Sequence, residues 1–414
     1  MALSSPIKKE SEQYARKILR CTRYLNSELQ VPMNKPLVIF STQGWTDLWV
    51  SKHWIAHEFS KDRLVLFIEP PRRITPSEVF RGEFCRVQAK KIQSNLYTLP
   101  TVTLPFPYRV PSLLRGLWRW PIFQQFSAAI ADLGIDQFDV LSFDPHSLSL
   151  IKKCGEKVVH KIYYAVDPPL GQEDAFWSEA RCVKESDHVF AVTPLLKDLM
   201  VRESGRKDIS VLPHGVDYKD SEDFSGRPPE QFETLLEDIK EDDVVIGYTG
   251  AIHDVCIDQE IVLEAIRKRP GWKFVFVGPY KGSTLSKQTF DISLFQKFEN
   301  VFFTGAVPYK HLKYFVKRFD VCVVPYNSKA NVNWKRRSPF KVLGYLAQGK
   351  PVVISNVPAA KDYGELVYEY EDLDGFLMSC EKALEPTSAA PKRKEFAAAH
   401  DFSILKNNLN SVLS

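Results

Sequence analysis

Short apolar runs alternate with longer stretches of helical periodicity along most of this chain. PLVIFS (36–41) predicts a strand and WTDLWVSKHWIAHEF (45–59) a helix, with the loop around Gly44 between them. RLVLFIEPP is the next strand, closed by its prolines. After a less regular region come a helix from about 111 to 133, the strand FDVLSF, a short helix after His146, and the strands VVHKIYYAV, HVFAVTP and ISVLP. These runs are continuously apolar rather than alternating, which marks strands buried on both faces of a parallel sheet.

The pattern breaks at DYKDSEDFSGRPPEQFETLLEDIKEDD, where Gly, two prolines and dense acidic charge predict an interdomain linker with some helix. It then restarts: VVIGYTG, a helix to about Lys268, WKFVFVG, a helix, NVFFTGAV, a helix, DVCVVPY, one more helix, and PVVIS. The fold class is therefore α/β, with two Rossmann-like doubly wound lobes and a cleft between them. The boundaries are 1–216 for the first lobe, 217–242 for the linker, 243–390 for the second lobe and 391–414 for a helical segment able to pack on either lobe.

The last of these helices carries the most chemistry. In SPFKVLGYLAQGKPVVI, Pro339 stands just after the small polar Ser338, as at a helix start. Phe340, Leu343, Leu346 and Ala347 share an apolar face, and Gly349 suits the left-handed position that ends a helix. Free backbone N–H groups at such a start, beside Lys335, Arg336, Arg337 and Lys341, suit a diphosphate.

Bulk composition narrows the rest. Hydrophobic residues make up 44% and charged residues 26%, a balance for globular cores, and no apolar run is long enough to span a bilayer. MALSSPIKKESEQYARK lacks the apolar centre of a signal peptide. Seven scattered cysteines without a Cys-x-x-Cys pair argue against structural zinc and disulfides and fit a reducing cytoplasm. Lys and Arg number 55 against 51 Asp and Glu, so no nucleic-acid partner is expected.

Taken in order, VLPHGVD, VIGYTGAI, FVFVGP, NVFFTGAVP, FDVCVVPYN and SPFKVLGYLAQGKPVV resemble the nucleotide-sugar lobe of GT-B glycosyltransferases. FDVLSFDPHS, IYYAVDPP and ESDHVFAVTPLL resemble the partner lobe of the same family, so the likeness runs over about 36–380. It is strongest to bacterial enzymes that build cell-surface or exopolysaccharide sugars. The resemblance implies transfer of a sugar from a nucleotide-diphosphate sugar to a saccharide or lipid-linked saccharide. The alternatives are an inactive nucleotide-sugar-binding protein and a nucleotide-sugar epimerase of the same fold. Retaining members often carry a Glu-x7-Glu pair; Gly344 stands at the second glutamate and Arg336 eight residues earlier. A ribose contact would then come from elsewhere, with Glu365 as candidate.

For the reaction itself, Lys341 would neutralise charge growing on the leaving phosphate. Tyr326 and Asn327, at the carboxyl end of DVCVVPY, would meet the base, although Tyr326 could equally be a buried aromatic. Gly250 and Gly278 let backbone approach phosphate. Arg336 and Arg337 are donor contacts or a solvated loop, and Ser338 a phosphate ligand or an N-cap. On the acceptor side stand Gly44, Trp45 and Asp144. Asp167, after five apolar residues and before two prolines, is either a turn-forming residue or the base if the reaction inverts, and the resemblance implies that His146 faces the donor sugar, with a capping role as the alternative. Asp372-Leu-Asp374 reads as a cap rather than a metal site, and no metal or other cofactor is expected. YRVPSLLRGLWRWPIFQQF (108–126) mixes Arg and aromatic residues. It is either a core helix or a face for the inner side of the cell membrane.

Overall fold

The computed structural model describes residues 34–82, 87–103, 115–166, 173–280, 290–330 and 332–413. Among them the first lobe contains β1 (Leu37–Phe40), β2 (Val65–Ile68), β3 (Arg72–Arg73), β4 (Lys90–Gln93), β5 (Leu96–Leu99), β6 (Val102–Thr103), β7 (Phe138–Ser142), β8 (Val158–Ala165), β9 (His188–Ala191) and β10 (Ser210–Val211). Eight of these form one sheet in the order β10-β9-β8-β7-β1-β2-β5-β4, parallel except for β4 against β5. β3 and β6 make a separate parallel pair. Every residue of β1, β2 and β7 is buried, as the unbroken apolar sequences of β1 and β2 require when helices cover both faces; in β7 the buried Asp139 is paired with Arg63.

The second lobe holds β11 (Val244–Thr249), β12 (Trp272–Val277), β13 (Val301–Gly305), β14 (Val321–Val324), β15 (Val352–Ser355) and β16 (Val367–Tyr370). They lie in the order β13-β12-β11-β14-β15-β16, all parallel. Each lobe thus reverses strand direction of travel next to its first strand, between β1 and β7 and between β11 and β14. Ligands of open α/β sheets bind above these crevices.

Several expectations shift. The first helix spans Ser51–Ser60, not 45–59, because Trp45 and Trp49 fold back onto His53, with ring centroids 5.0 and 6.5 Å away. β4 and β5 occupy the region that shows no clear sequence pattern. The 217–242 stretch is no free linker: it forms helices Tyr218–Glu222 and Glu230–Asp238, and Leu235 and Ile239 are buried in the core of the second lobe. The end of the chain serves both lobes. Helix Ala390–Ala398 packs on the second, burying Ala397, and helix Phe402–Asn410 returns to the first, burying Phe402, Leu405 and Leu409. Where the chain crosses outward at Val216 and back at Asp401, the two strands pair: Val216 N–H donates to His400 and Phe402 N–H to Val216. A Cβ on Gly215 would meet the Phe402 ring at 2.5 Å, so glycine is required there by close approach.

Candidate functional site

The crevice of the second lobe lies between the turn after β11 and the turn after β14. Gly250 ends β11 with φ +130°, and Gly278 ends β12 with φ +147°. Both conformations belong to glycine, and the two turns touch: a Cβ on Gly278 would meet the Gly250 carbonyl oxygen at 2.0 Å. Above Gly250 sits Lys341, whose Nζ would lie 2.8 Å from a Cβ at position 250. The ammonium donates to the Tyr248 hydroxyl at 2.7 Å and lies 4.0 Å from that ring and 5.6 Å from the Tyr326 ring. The Tyr248 hydroxyl in turn donates a hydrogen bond to the Ala251 carbonyl. Lys341 is partly buried, and burial pulls its pKa down to about 8. Among the described residues it has no carboxylate partner; hydroxyl and ring faces are its company. A charge held so loosely in a polarising crevice is ready for an anion.

The helix bearing it runs Phe340–Ala347, with Pro339 at the cap position rather than inside the first turn. Ser338 does not cap it with its side chain; its carbonyl accepts from Phe340 N–H, and that of Pro339 accepts from Val342 N–H. Turn bonds therefore occupy part of the expected N–H array, and fewer free N–H groups stand at this helix start than the sequence suggests. Gly349 does end the helix left-handed, at φ +71°. Tyr345, one turn further along the same face, anchors the helix by accepting from Thr249 N–H at 2.7 Å.

The other candidates divide. Tyr326 is half-buried, its ring 5.0 Å from Trp334. The Asn327 side chain accepts from Lys329 N–H and shapes its own turn. Arg337 lies over Trp334 at 5.9 Å. Glu365 is exposed, and a Cβ on Gly344 would meet nothing within 4 Å, so the usual glutamate position opens onto free space. Arg336 is neither a solvated loop residue nor free for the donor: its side chain crosses to the first lobe and bonds Glu179 and Glu203.

In the first lobe, Asp144 caps the turn Pro145–Ser147, accepting from His146 N–H at 2.9 Å, and so fixes the peptide that presents the half-buried His146. Trp45 packs edge-on against Phe67 at 5.1 Å and belongs to the lobe's packing. Gly44 accepts from the buried His53 ring and lies against Glu69, whose Oε2 would be 2.9 Å from a Cβ at position 44. Asp167 lies outside the described residues, as do 108–114; 115–126 belong to helix Arg115–Asp132, in which Trp120 is exposed and Phe126 fully buried. Asp372 caps helix Leu373–Leu384 through Gly375 N–H. Among the described residues no cluster of His, Cys, Asp or Glu is arranged to hold a metal, and no helix is long and apolar enough to cross a membrane.

Two participants had escaped the sequence reading. Tyr248 is the direct partner of Lys341, and its signal was a lone hydroxyl inside the apolar run VVIGYTG. Lys52, 1% exposed, donates to Thr42 at 2.7 Å and lies 5.8 Å from the Phe143 ring, at the β1/β7 crevice. A helix-period lysine in the amphipathic run gave no hint of that burial.

Residues 243–385 match the family model described as glycosyl transferases group 1. The second lobe is a group 1 glycosyltransferase domain, in a chain with the GT-B fold. The curated relative it matches, a Bacillus subtilis (strain 168) protein named as the teichuronic acid biosynthesis glycosyltransferase TuaH, is 28% identical over 213 residues. That match spans about half of each protein, 50% of this chain and 51% of the relative. Among solved structures, Anabaena HepE in complex with UDP-glucose superposes with TM-score 0.63 at 13% identity, over 91% of this chain and 99% of that one. Sucrose-phosphate synthase from Thermosynechococcus elongatus gives 0.64 at 13%, over 92% and 98%. These likenesses establish the two-lobed fold over nearly the whole described length of the chain.

Proposed function

We propose that the protein is a glycosyltransferase that moves a sugar from a nucleotide-diphosphate sugar to a saccharide or lipid-linked saccharide in cell-surface polysaccharide assembly. One observation carries the reading: Lys341, without a carboxylate partner among the described residues, is suspended over the Gly250–Gly278 turns in the lobe that matches the group 1 glycosyltransferase model. A diphosphate seated on those turns would give the ammonium its counter-charge, and the charge that grows on the leaving phosphate would strengthen that bond. Tyr326 would flank the base. Glu365, which is exposed, would meet the ribose in place of the glutamate that Gly344 replaces. Across the cleft, His146 would address the donor sugar, and Asp167 would take the acceptor proton if the reaction inverts. Closure of the lobes would exclude water and limit hydrolysis of the donor. The name of the B. subtilis relative supports a cell-surface polymer as the destination.

A lipid-linked acceptor would bring the first lobe to the inner face of the membrane. Phe80, 91% exposed beside Arg81, and Trp120, 51% exposed, would supply the apolar and basic contact. No metal is assigned to the reaction.

Incubation with a panel of UDP-, GDP-, TDP- and CMP-linked sugars tests the reading. Slow release of free nucleotide, accelerated by saccharide acceptors, is the expected result. Binding without turnover under every acceptor condition would instead establish an inactive sugar-nucleotide binder, and a 2-epimer product an epimerase.

A further inference from the structure

Arg336 stands five residues before Lys341, in the turn Trp334–Arg336 that leads into the helix. Its side chain is fully buried, yet its partners belong to the other lobe. Nη1 donates to Glu179 at 2.7 Å, in helix Glu173–Glu185, and Nη2 donates to Glu203, in helix Pro194–Ser204. The remaining oxygen of Glu179 accepts from the buried Tyr163 hydroxyl at 2.9 Å, so that carboxylate cannot turn away. Four residues on, Phe340 also faces the first lobe, with its ring 5.6 Å from His214 and 6.2 Å from Phe402, whose helix packs on that lobe. Lys341 then turns back to Tyr248 and Gly250 of its own lobe. The segment is therefore pinned to the first lobe at two points, and the lysine that follows is aimed by them.

We propose that Arg336 is a positioning residue that couples closure of the lobes to the placement of Lys341. The idea rests on the diphosphate reading of that site. When the lobes part, Arg336 and both glutamates can hydrate, and little net energy is lost. When they close, burial leaves the guanidinium one arrangement that satisfies it, a fork between two carboxylates. Such a contact contributes geometry more than stability. An interface staple could stand anywhere along the cleft; this one lies in the turn that carries the diphosphate lysine.

The test is UDP binding by calorimetry between about pH 7 and pH 9.5, with turnover of the best donor, in the full-length chain. In the wild type, affinity should begin to fall near pH 8, where burial makes Lys341 lose its proton. In Arg336→Ala the lysine is no longer seated, so that midpoint should move up towards the ordinary lysine value near 10.4. Binding at pH 7 should weaken about tenfold, a change of ~1.4 kcal/mol. Arg336→Ala should also add nothing to the turnover defect of Lys341→Ala, since it acts through that residue. Glu203→Gln, whose side chain is 40% exposed and which leaves the Glu179 bond in place, should fold normally and show a smaller shift in the same direction. A lowered melting temperature with the midpoint unmoved, or additive defects in the double variant, would overturn the proposal while leaving the functional reading intact. A wild type that binds no nucleoside diphosphate would remove both.

Discussion

Replacing Lys341 by methionine keeps the length of the side chain and removes its charge, and it separates what the lysine does for the fold from what it does for a ligand. Burial brings its pKa from 10.5 to about 8. At ~1.36 kcal/mol per unit this corresponds to at most about 3 kcal/mol against the charged form, and partial exposure reduces it to the order of 1–3 kcal/mol. The folded pKa lies below the unfolded one, so the unfolded chain binds more protons between about pH 8 and 10.5 and wild-type stability rises through that window. Below pH 8 both states are protonated and the cost is present in full. At pH 7 the empty Lys341→Met protein should therefore melt higher than the wild type, by about 2–4 °C per kcal/mol for a lobe of this size. The advantage should fade towards about pH 10.5. Ligand affinity should move the other way. A lost charge-assisted bond of ~1.5–3 kcal/mol weakens UDP binding about 10- to 150-fold at pH 7. If the bound anion restores the ordinary pKa, wild-type affinity should also fall about tenfold between pH 7 and 9, while the variant stays flat. Differential scanning calorimetry and titration calorimetry measure the two halves. A variant less stable than the wild type when empty, or one with the same pH slope for UDP, would refute the argument.

Other substitutions probe the surrounding geometry. Gly278→Ala places a Cβ 2.0 Å from the Gly250 carbonyl at a φ of +147°, so it should cost roughly 2–4 kcal/mol in denaturant melts and abolish UDP binding. Gly250→Ala should cost less stability, because the flexible end of Lys341 can yield, but should lower UDP affinity by displacing that ammonium; unchanged affinity would show that Lys341 does not bind where it rests. Tyr326→Ala should weaken UDP more than inorganic pyrophosphate, since only the former has a base to stack; equal losses would remove the base contact. Phe80→Glu together with Trp120→Glu should reduce sedimentation with anionic vesicles and leave turnover of a soluble acceptor unchanged; undiminished sedimentation would discard this face.

Much of the architecture was readable along the chain because its strands are buried on both faces. LVIF, VLFI and VCVV have no polar side to hide, and their spacing by helical stretches dictates parallel sheets. The edge of the first sheet was harder. β4 reads KKIQ, with three exposed residues, because a strand with one neighbour needs little apolar content. The acidic 217–242 stretch misled for a related reason: its composition is polar, yet two well-placed residues, Leu235 and Ile239, anchor it to the second core.

The site divides along the same line. Sequence alone determined that a helix with a lysine in its first turn follows β14, that glycines end β11 and β12, and that both lobes bring strand ends to a crevice. These are local properties: backbone conformations open only to glycine, helix caps, and apolar period. The tertiary structure decided which basic residue is left to meet a ligand. Lys335, Arg336, Arg337 and Lys341 are equivalent cations in one dimension. In three, Arg336 is claimed by Glu179 and Glu203, 157 and 133 positions away, Arg337 lies over Trp334, and Lys341, among the described residues, meets the Tyr248 hydroxyl and the Tyr248 and Tyr326 ring faces. Charges act through space and periodicity acts along the chain, so the fold could be read from the sequence while the assignment of the cations required the packed lobes.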